Sequence, residues 1–334
     1  MKPFHSFLFA SLALFAIPAP ADETPSTLPE LPQPATSFGA ALADGWLYVY
    51  GGNTGKAHEF NRDCVKGDFF RLKLPDGTAW EKLPGGTALL SVSLVAHDGK
   101  IIRIGGMNAR NAGGEKNDLH STAEVMRFDP ATRQWEALPP LPEPRSSHDA
   151  VIAGDTLYVG GGWKLAGDDG EGANAAWTQT LLTLDLKAPA KGWQSQAQPF
   201  QRRAIAAVAN AGRLWFLGGM DSKDEPSRAV DWFEPASGQW GKGPDLPDGS
   251  MAGFGIAGCT ARDRVLASPL SGKISALSAD GKQWEEIAKL NPARFFHRLL
   301  PITDGQLVAV GGSNRQGHIR KLELVSLDAL LQIP

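Results

Sequence analysis

The chain has 334 residues, a net charge of −3, and 38 glycines and 24 prolines. So balanced a charge gives no basic field for nucleic acid. So much glycine and proline suits a turn-rich all-β chain rather than a helical one. At the N-terminus, Lys2 precedes an apolar run from Phe7 to Ile17, too short to span a bilayer, which takes ~20 residues. Ala19-Pro20-Ala21 then reads as a cleavage site. The expectation is a signal peptide over 1–21 and a single domain over 22–334. The mature protein is expected to be periplasmic or secreted, without membrane insertion. Cys64 and Cys259 are the only cysteines; an oxidising compartment permits a bridge between them, and the sequence leaves it open.

Beyond the leader, short aliphatic strands end repeatedly in a glycine pair: Gly51-Gly52, Gly105-Gly106, Gly160-Gly161, Gly218-Gly219 and Gly311-Gly312. The intervals are 54, 55, 58 and 93 residues. Tryptophan gives a second register. Trp80, Trp135, Trp193, Trp240 and Trp284 each open a short strand, at intervals of 55, 58, 47 and 44. Trp284 therefore reports a unit without the glycine pair, whose second strand is expected near Val265-Leu266-Ala267, with Ser268-Pro269 in place of the glycines. Six units of short strands at this period read as a propeller. The last unit has a third strand near Leu322–Val325 but no tryptophan strand. Leu28-Pro29-Glu30-Leu31-Pro32 resembles Leu138-Pro139-Pro140-Leu141-Pro142, which follows such a strand. Residues 24–30 are thus expected to complete the last blade and remove an open sheet edge.

The pattern resembles the Kelch repeat family, best in Gly105-Gly106 through Phe128-Asp129-Pro130 to Trp135, and in Gly218-Gly219 through Phe233-Glu234-Pro235 to Trp240. The expected fold is all-β: a six-bladed propeller of four-stranded antiparallel blades, closed by the N-terminal strand.

Antiparallel strands send alternate connections to opposite faces. Asp44-Gly45, Asp98-Gly99, Gly154-Asp155, Asp280-Gly281 and Asp304-Gly305 are tight hairpin turns on one face. The other face receives the long connections 53–68, 107–122 and 162–179. A binding site is expected there, biased toward the first three blades.

Several side chains on that face are candidates. Arg145 lies 15 residues before Gly160 and Arg203 lies 15 before Gly218. Arg294 begins an Arg-x-x-His that repeats the spacing of Arg145 to His148. Three such arginines could ring the channel mouth and hold an anion. The plainer alternative is that they tie blades together. His148 and His297 are candidate acid/base groups, or buried histidines. Trp163 and Trp177 could stack on a sugar, or pin their loop. Glu171 is a third acid/base candidate. Asp168, Asp169 and Glu171 lack the spacing of a calcium loop, so no metal is expected. Asn108, Asp118 and His120 make the second long loop suited to hydrogen bonding.

No nucleophile elbow, zinc-protease or P-loop motif occurs. The expectation is a cofactor-free, monomeric binding module for a carbohydrate or protein ligand. The alternative is a sugar mutarotase or epimerase, because exported six-bladed Kelch proteins include enzymes that interconvert sialic acid anomers. Galactose oxidase also carries a Kelch propeller, but its Tyr–Cys cofactor has no counterpart here: Tyr48, Tyr50 and Tyr158 all lie in strands just before the glycine pairs.

Overall fold

A computed structural model describes residues 28–168 and 175–327. The expected signal peptide, 1–21, and Glu171 fall outside them. Among the described residues, six antiparallel sheets form blades in chain order, each with its first strand innermost. Blade one, for example, runs Gly39–Ala43, Trp46–Asn53, Val65–Lys73 and Glu81–Leu83. The unit without glycines is a full blade, Ala257–Ala261, Arg264–Ser268, Lys273–Leu277 and Trp284–Lys289. Each innermost strand packs against that of the next blade, and the sixth packs against the first, so the circle closes. Apolar clusters fill the wedges between blades, such as Leu47, Val49, Val308 and Val310 between blades one and six.

Among the described residues, blade six has three strands, Arg298–Thr303, Gln306–Val310 and Leu322–Ser326. Most of the expected closing strand, 24–30, lies outside them. The trace of closure is in the tryptophans. Trp135, Trp193 and Trp284 donate their indole N–H to the carbonyls of Pro84, Pro139 and Pro244, at 2.8, 2.8 and 3.0 Å. Each of these prolines just follows the outer strand of the preceding blade. Trp80 makes the same bond to Pro29, at 3.2 Å. Pro29 therefore occupies that position for blade six. Leu31 N–H also reaches Arg320 O of blade six, at 2.9 Å.

The glycine pairs end the second strands in the left-handed region, with φ of 67° and 101° at Gly51 and Gly52. The N–H of the second glycine then bonds a carbonyl of the next blade: Gly52 to Leu89, Gly106 to Arg145, Gly162 to Arg202 and Gly219 to Gly253. A Cβ on Gly219 would lie 2.5 Å from Ile205 Cγ2 and 2.6 Å from Arg203 O. In blade three the pair is Gly161-Gly162, with φ of 68° and 91°, not Gly160-Gly161. Gly160 is the last strand residue, paired with Asp149. In blade five, Ala257 pairs with Ser268 as Ala206 pairs with Leu217. Pro269-Leu270, rather than Ser268-Pro269, therefore stands where the glycines would be.

That shift changes an arginine. Counted from Gly161 and Gly218, the common position 16 residues upstream holds Arg145 and Arg202, not Arg203. Arg145 donates to Thr180 O at 2.9 Å and Thr180 Oγ1 at 2.7 Å. Arg202 donates to Gly218 O at 2.8 Å and pairs with Asp231, both side chains almost wholly buried. Arg294 donates to Lys321 O at 3.0 Å and to Glu323 at 2.6 Å. All three guanidiniums lie within their blades and satisfy carbonyls that the glycine turns leave open. Removing one partner of a buried ion pair strands the other. Arg202→Ala is expected to cost about 3 kcal/mol or more in urea unfolding. Arg203→Ala, one residue on, removes a side chain that is 14% exposed and rests on Trp163, facing the largely exposed Asp224 rather than a buried carboxylate, and is expected to cost less, about 1 kcal/mol.

Candidate functional site

The segments leading into the innermost strands build one structure together. Two residues past the arginine position, every blade carries a left-handed residue: Ser37, Ser91, Ser147, Ala204, Gly255 and Phe296, with φ between 50° and 63°. Five of them pass their N–H to the carbonyl of the preceding blade's residue: Ser91 to Ser37, Ser147 to Ser91, Ala204 to Ser147, Gly255 to Ala204 and Phe296 to Gly255, at 2.6 to 3.2 Å; at the seam between blades six and one, Arg298 Nε donates to Phe38 O instead, at 3.3 Å. Five of the six are not glycine, and non-glycine residues persist in this region only where their surroundings hold them.

This annulus frames the floor of a cavity of about 960 Å³ on the long-loop face. Its walls come from the lead-ins and from the connections after the second strands, as the alternation of faces requires. One step into the channel, Arg298 of blade six spans to Asp149 of blade three, on the opposite side. Arg298 Nη1 lies 3.1 Å from Asp149 Oδ1. Ser93 Oγ and Ala207 N–H also reach this carboxylate, at 3.3 and 2.9 Å. The pair bars the channel below the annulus.

Of the three arginines expected at the mouth, Arg203 alone lines the cavity. Its guanidinium lies 4.2 Å from the Trp163 ring centroid and 5.5 Å from that of Phe254. It donates to Met220 Sδ at 3.0 Å, and Asp224 stands 3.7 Å away. Arg145 and Arg294 are buried inside their blades, outside the cavity. The long connections are not open loops. Met107–Ala109 and Leu119–Ser121 form a hairpin joined by Ala166–Asp168 of blade three. Trp163 and Trp177 face each other across a second hairpin, rings 5.5 Å apart, in a cluster with Val65, Met107 and Leu165. Trp163 touches the cavity while 98% buried; Trp177 does not line it. Asn108 and His120 pair across the first hairpin, and His120 Nε2 lies 2.7 Å from Asp118. None of these three lines the cavity.

His148 and His297 line the cavity floor at the level of the annulus and are almost wholly buried. Burial, then the charges of Arg145 and Arg298, holds the His148 ring neutral with its pKa lowered to about 3. Burial, then Arg294 and Arg298, does the same for His297, also to about 3. His297 Nε2 lies 3.1 Å from Ser268 Oγ. Such rings do not exchange protons near neutral pH. They fill the position held by Phe38, Val92, Ile205 and Ile256 in the other blades.

The long connections bias the expected site toward blades one to three. The cavity also takes Phe254, Phe295, Phe296 and Arg315 from blades five and six and Asp224 from blade four. Phe296 and Gly255 could have been found by aligning all six lead-ins on the corrected glycine register. The rest depends on which loops converge. Cys64 and Cys259 are both free thiols. On the opposite face His97, Asp98 and Asp155 gather closely enough to reach one ion, but Lys187 Nζ already holds Asp155 at 2.5 Å.

With the six sheets and their glycine turns in place, comparison with known proteins agrees. A model of the Kelch motif matches residues 89–142. The chain carries Kelch repeats. It is 29% identical to Kelch-like protein 35 of Mus musculus over 52% of this chain and 26% of that protein. It is 25% identical to beta-scruin of Limulus polyphemus over 60% of this chain and 20% of that protein. The matched stretches thus span about a quarter or less of those two relatives. The solved structure of YjhT superposes with a TM-score of 0.73 at 17% identity, covering 90% of this chain and 97% of that one, which shows a shared fold.

The two histidines set an acid limit on this Kelch propeller. Unfolded, each ring takes a proton near its ordinary 6.5; folded, each refuses it until about 3. The unfolded chain therefore binds more protons across that interval, and stability falls as pH drops through it. By about pH 5 the loss is about 2 kcal/mol per ring. Thermal melts of the His148→Ile/His297→Ile protein are expected to show a flatter pH profile than the parent between 6.5 and 3. Parallel profiles would contradict neutral burial.

Proposed function

We propose that the chain is a binding protein for a small anionic carbohydrate, held in the cavity above the annulus. The single observation that carries this is Arg203, stacked on Trp163 in the wall of a cavity of about 960 Å³. A concave site of this size suits one small molecule rather than a flat protein face, since ligand pockets run to roughly 300–1,000 Å³. Four cationic side chains line it, Lys56, Arg203, Arg298 and Arg315, against one carboxylate, Asp224. A guanidinium braced on an aromatic ring is fixed in direction and offers a bidentate fork to a carboxylate. Ring faces such as Phe60 suit the apolar faces of a sugar. The leader over 1–21 supports export, which would place the site among extracellular or periplasmic solutes.

A mutarotase reading draws on one observation: Asp224 lies in the same cavity, 3.7 Å from Arg203. A carboxylate beside an anion-holding arginine could relay a proton at an anomeric centre. His148 and His297 do not serve this reading, because they are buried and held neutral. Proton NMR of freshly dissolved N-acetylneuraminate tests it: anomer exchange unchanged by the protein would remove catalysis and leave binding.

Binding is tested by calorimetric titration with D-glucuronate, N-acetylneuraminate and D-glucose. At least one acid is expected to bind, D-glucose at least tenfold more weakly. Arg203→Ala is expected to weaken the acid tenfold or more while the melting temperature stays close to the parent's. Equal binding of acid and neutral sugar, or none of either, would overturn the proposal.

A further inference from the structure

Three phenylalanine side chains in the cavity wall take no part in the cores between blades. Phe254 follows the short 3-10 turn Ser250–Gly253, and Phe295 and Phe296 lie in the lead-in of blade six. Their centroids form a triangle with sides of 4.9, 5.0 and 6.3 Å. All three are half-buried, and none belongs to the apolar clusters that hold the blades together. Met251, 43% exposed and the only exposed large hydrophobic among the described residues, lies at the same wall. An exposed apolar patch gathered at a cavity marks a binding surface.

The triangle adjoins the cation. Phe254 contacts both Phe296 and the Arg203 guanidinium, at 5.0 and 5.5 Å between centres. An anion that engages Arg203 therefore has an aromatic wall beside it, not across the cavity. The hydroxylated part of a sugar gains little there, because burying its hydroxyls without partners costs more than the contact returns. A flat apolar group gains both from leaving water and from ring stacking.

We propose that the ligand is an anion carrying an aryl substituent close to its carboxylate, the carboxylate on Arg203 and the aryl group on the Phe254, Phe295 and Phe296 triangle. This rests on the small-anion reading above and narrows it to a substituted, amphipathic acid. 4-Nitrophenyl β-D-glucuronide has this arrangement: its carboxylate and its aryl group sit on the two carbons flanking the ring oxygen.

The experiment compares calorimetric titrations of the intact protein with that glycoside and with D-glucuronate. The aryl glycoside is expected to bind roughly tenfold more tightly or better. Phe254→Ala is expected to bring the two ligands within about threefold of each other, the aryl glycoside losing most of its advantage over D-glucuronate. Phe254→Leu, which keeps the bulk of the wall, guards against misfolding and is expected to fall between. Equal affinity of the two ligands for the parent protein would overturn the aryl inference and leave the anionic site standing. An undiminished aryl preference in folded Phe254→Ala would overturn it too. Binding of neither ligand would overturn both readings.

Discussion

The wide face depends on an annulus in which the left-handed residues of five lead-ins hand their N–H to the blade before, with the Arg298 side chain reaching Phe38 O at the seam between blades six and one. Left-handed backbone at Ser37, Ser91, Ser147, Ala204 and Phe296 is unfavourable taken singly. It holds here because each such turn is bonded to its neighbours and cannot relax alone. The side chains flanking these turns are thereby fixed in direction. Residues just past them dip into the channel, where Asp149 and Arg298 meet from opposite blades. A closed floor and rigid walls are what turn the mouth of a propeller into a cavity.

The same geometry separates two kinds of arginine. At the structural position the side chain turns into its own blade and satisfies carbonyls exposed by the glycine turn, as Arg145, Arg202 and Arg294 do. One residue later the side chain turns toward the cavity, as Arg203 does. Burial pulls the Arg145 pKa down to about 10, the cost of a cation whose partners are mostly carbonyls. Burial first, and then the charges of Arg145, Arg294 and Arg298, keep His148 and His297 neutral, so the floor is polar without being a proton relay.

The propeller was legible because its markers are local. Glycine pairs, tight Asp-Gly turns and tryptophan strands each follow from backbone demands within a few residues, and their spacing reports the blade. The errors were also local in origin. Three consecutive glycines at 160–162 allow two pairings, and the choice of Gly160-Gly161 displaced the arginine alignment by one, promoting Arg203 to a position that Arg202 holds. Trp163 and Trp177 looked like loop aromatics because the apolar cluster that buries them gathers residues from three blades. Phe254, Phe295 and Phe296 carried no motif, since their significance lies only in meeting.

The sequence by itself determined the number of sheets, the strand order within them and which connections share a face. These depend on periodicity and on turns that only certain residues can make. The tertiary structure decided which arginine faces the cavity, which histidines are sealed, and which aromatic rings stand beside the cation. Side chains far apart in the chain converge only when the circle shuts, and no spacing along a line encodes the direction in which each one points around it.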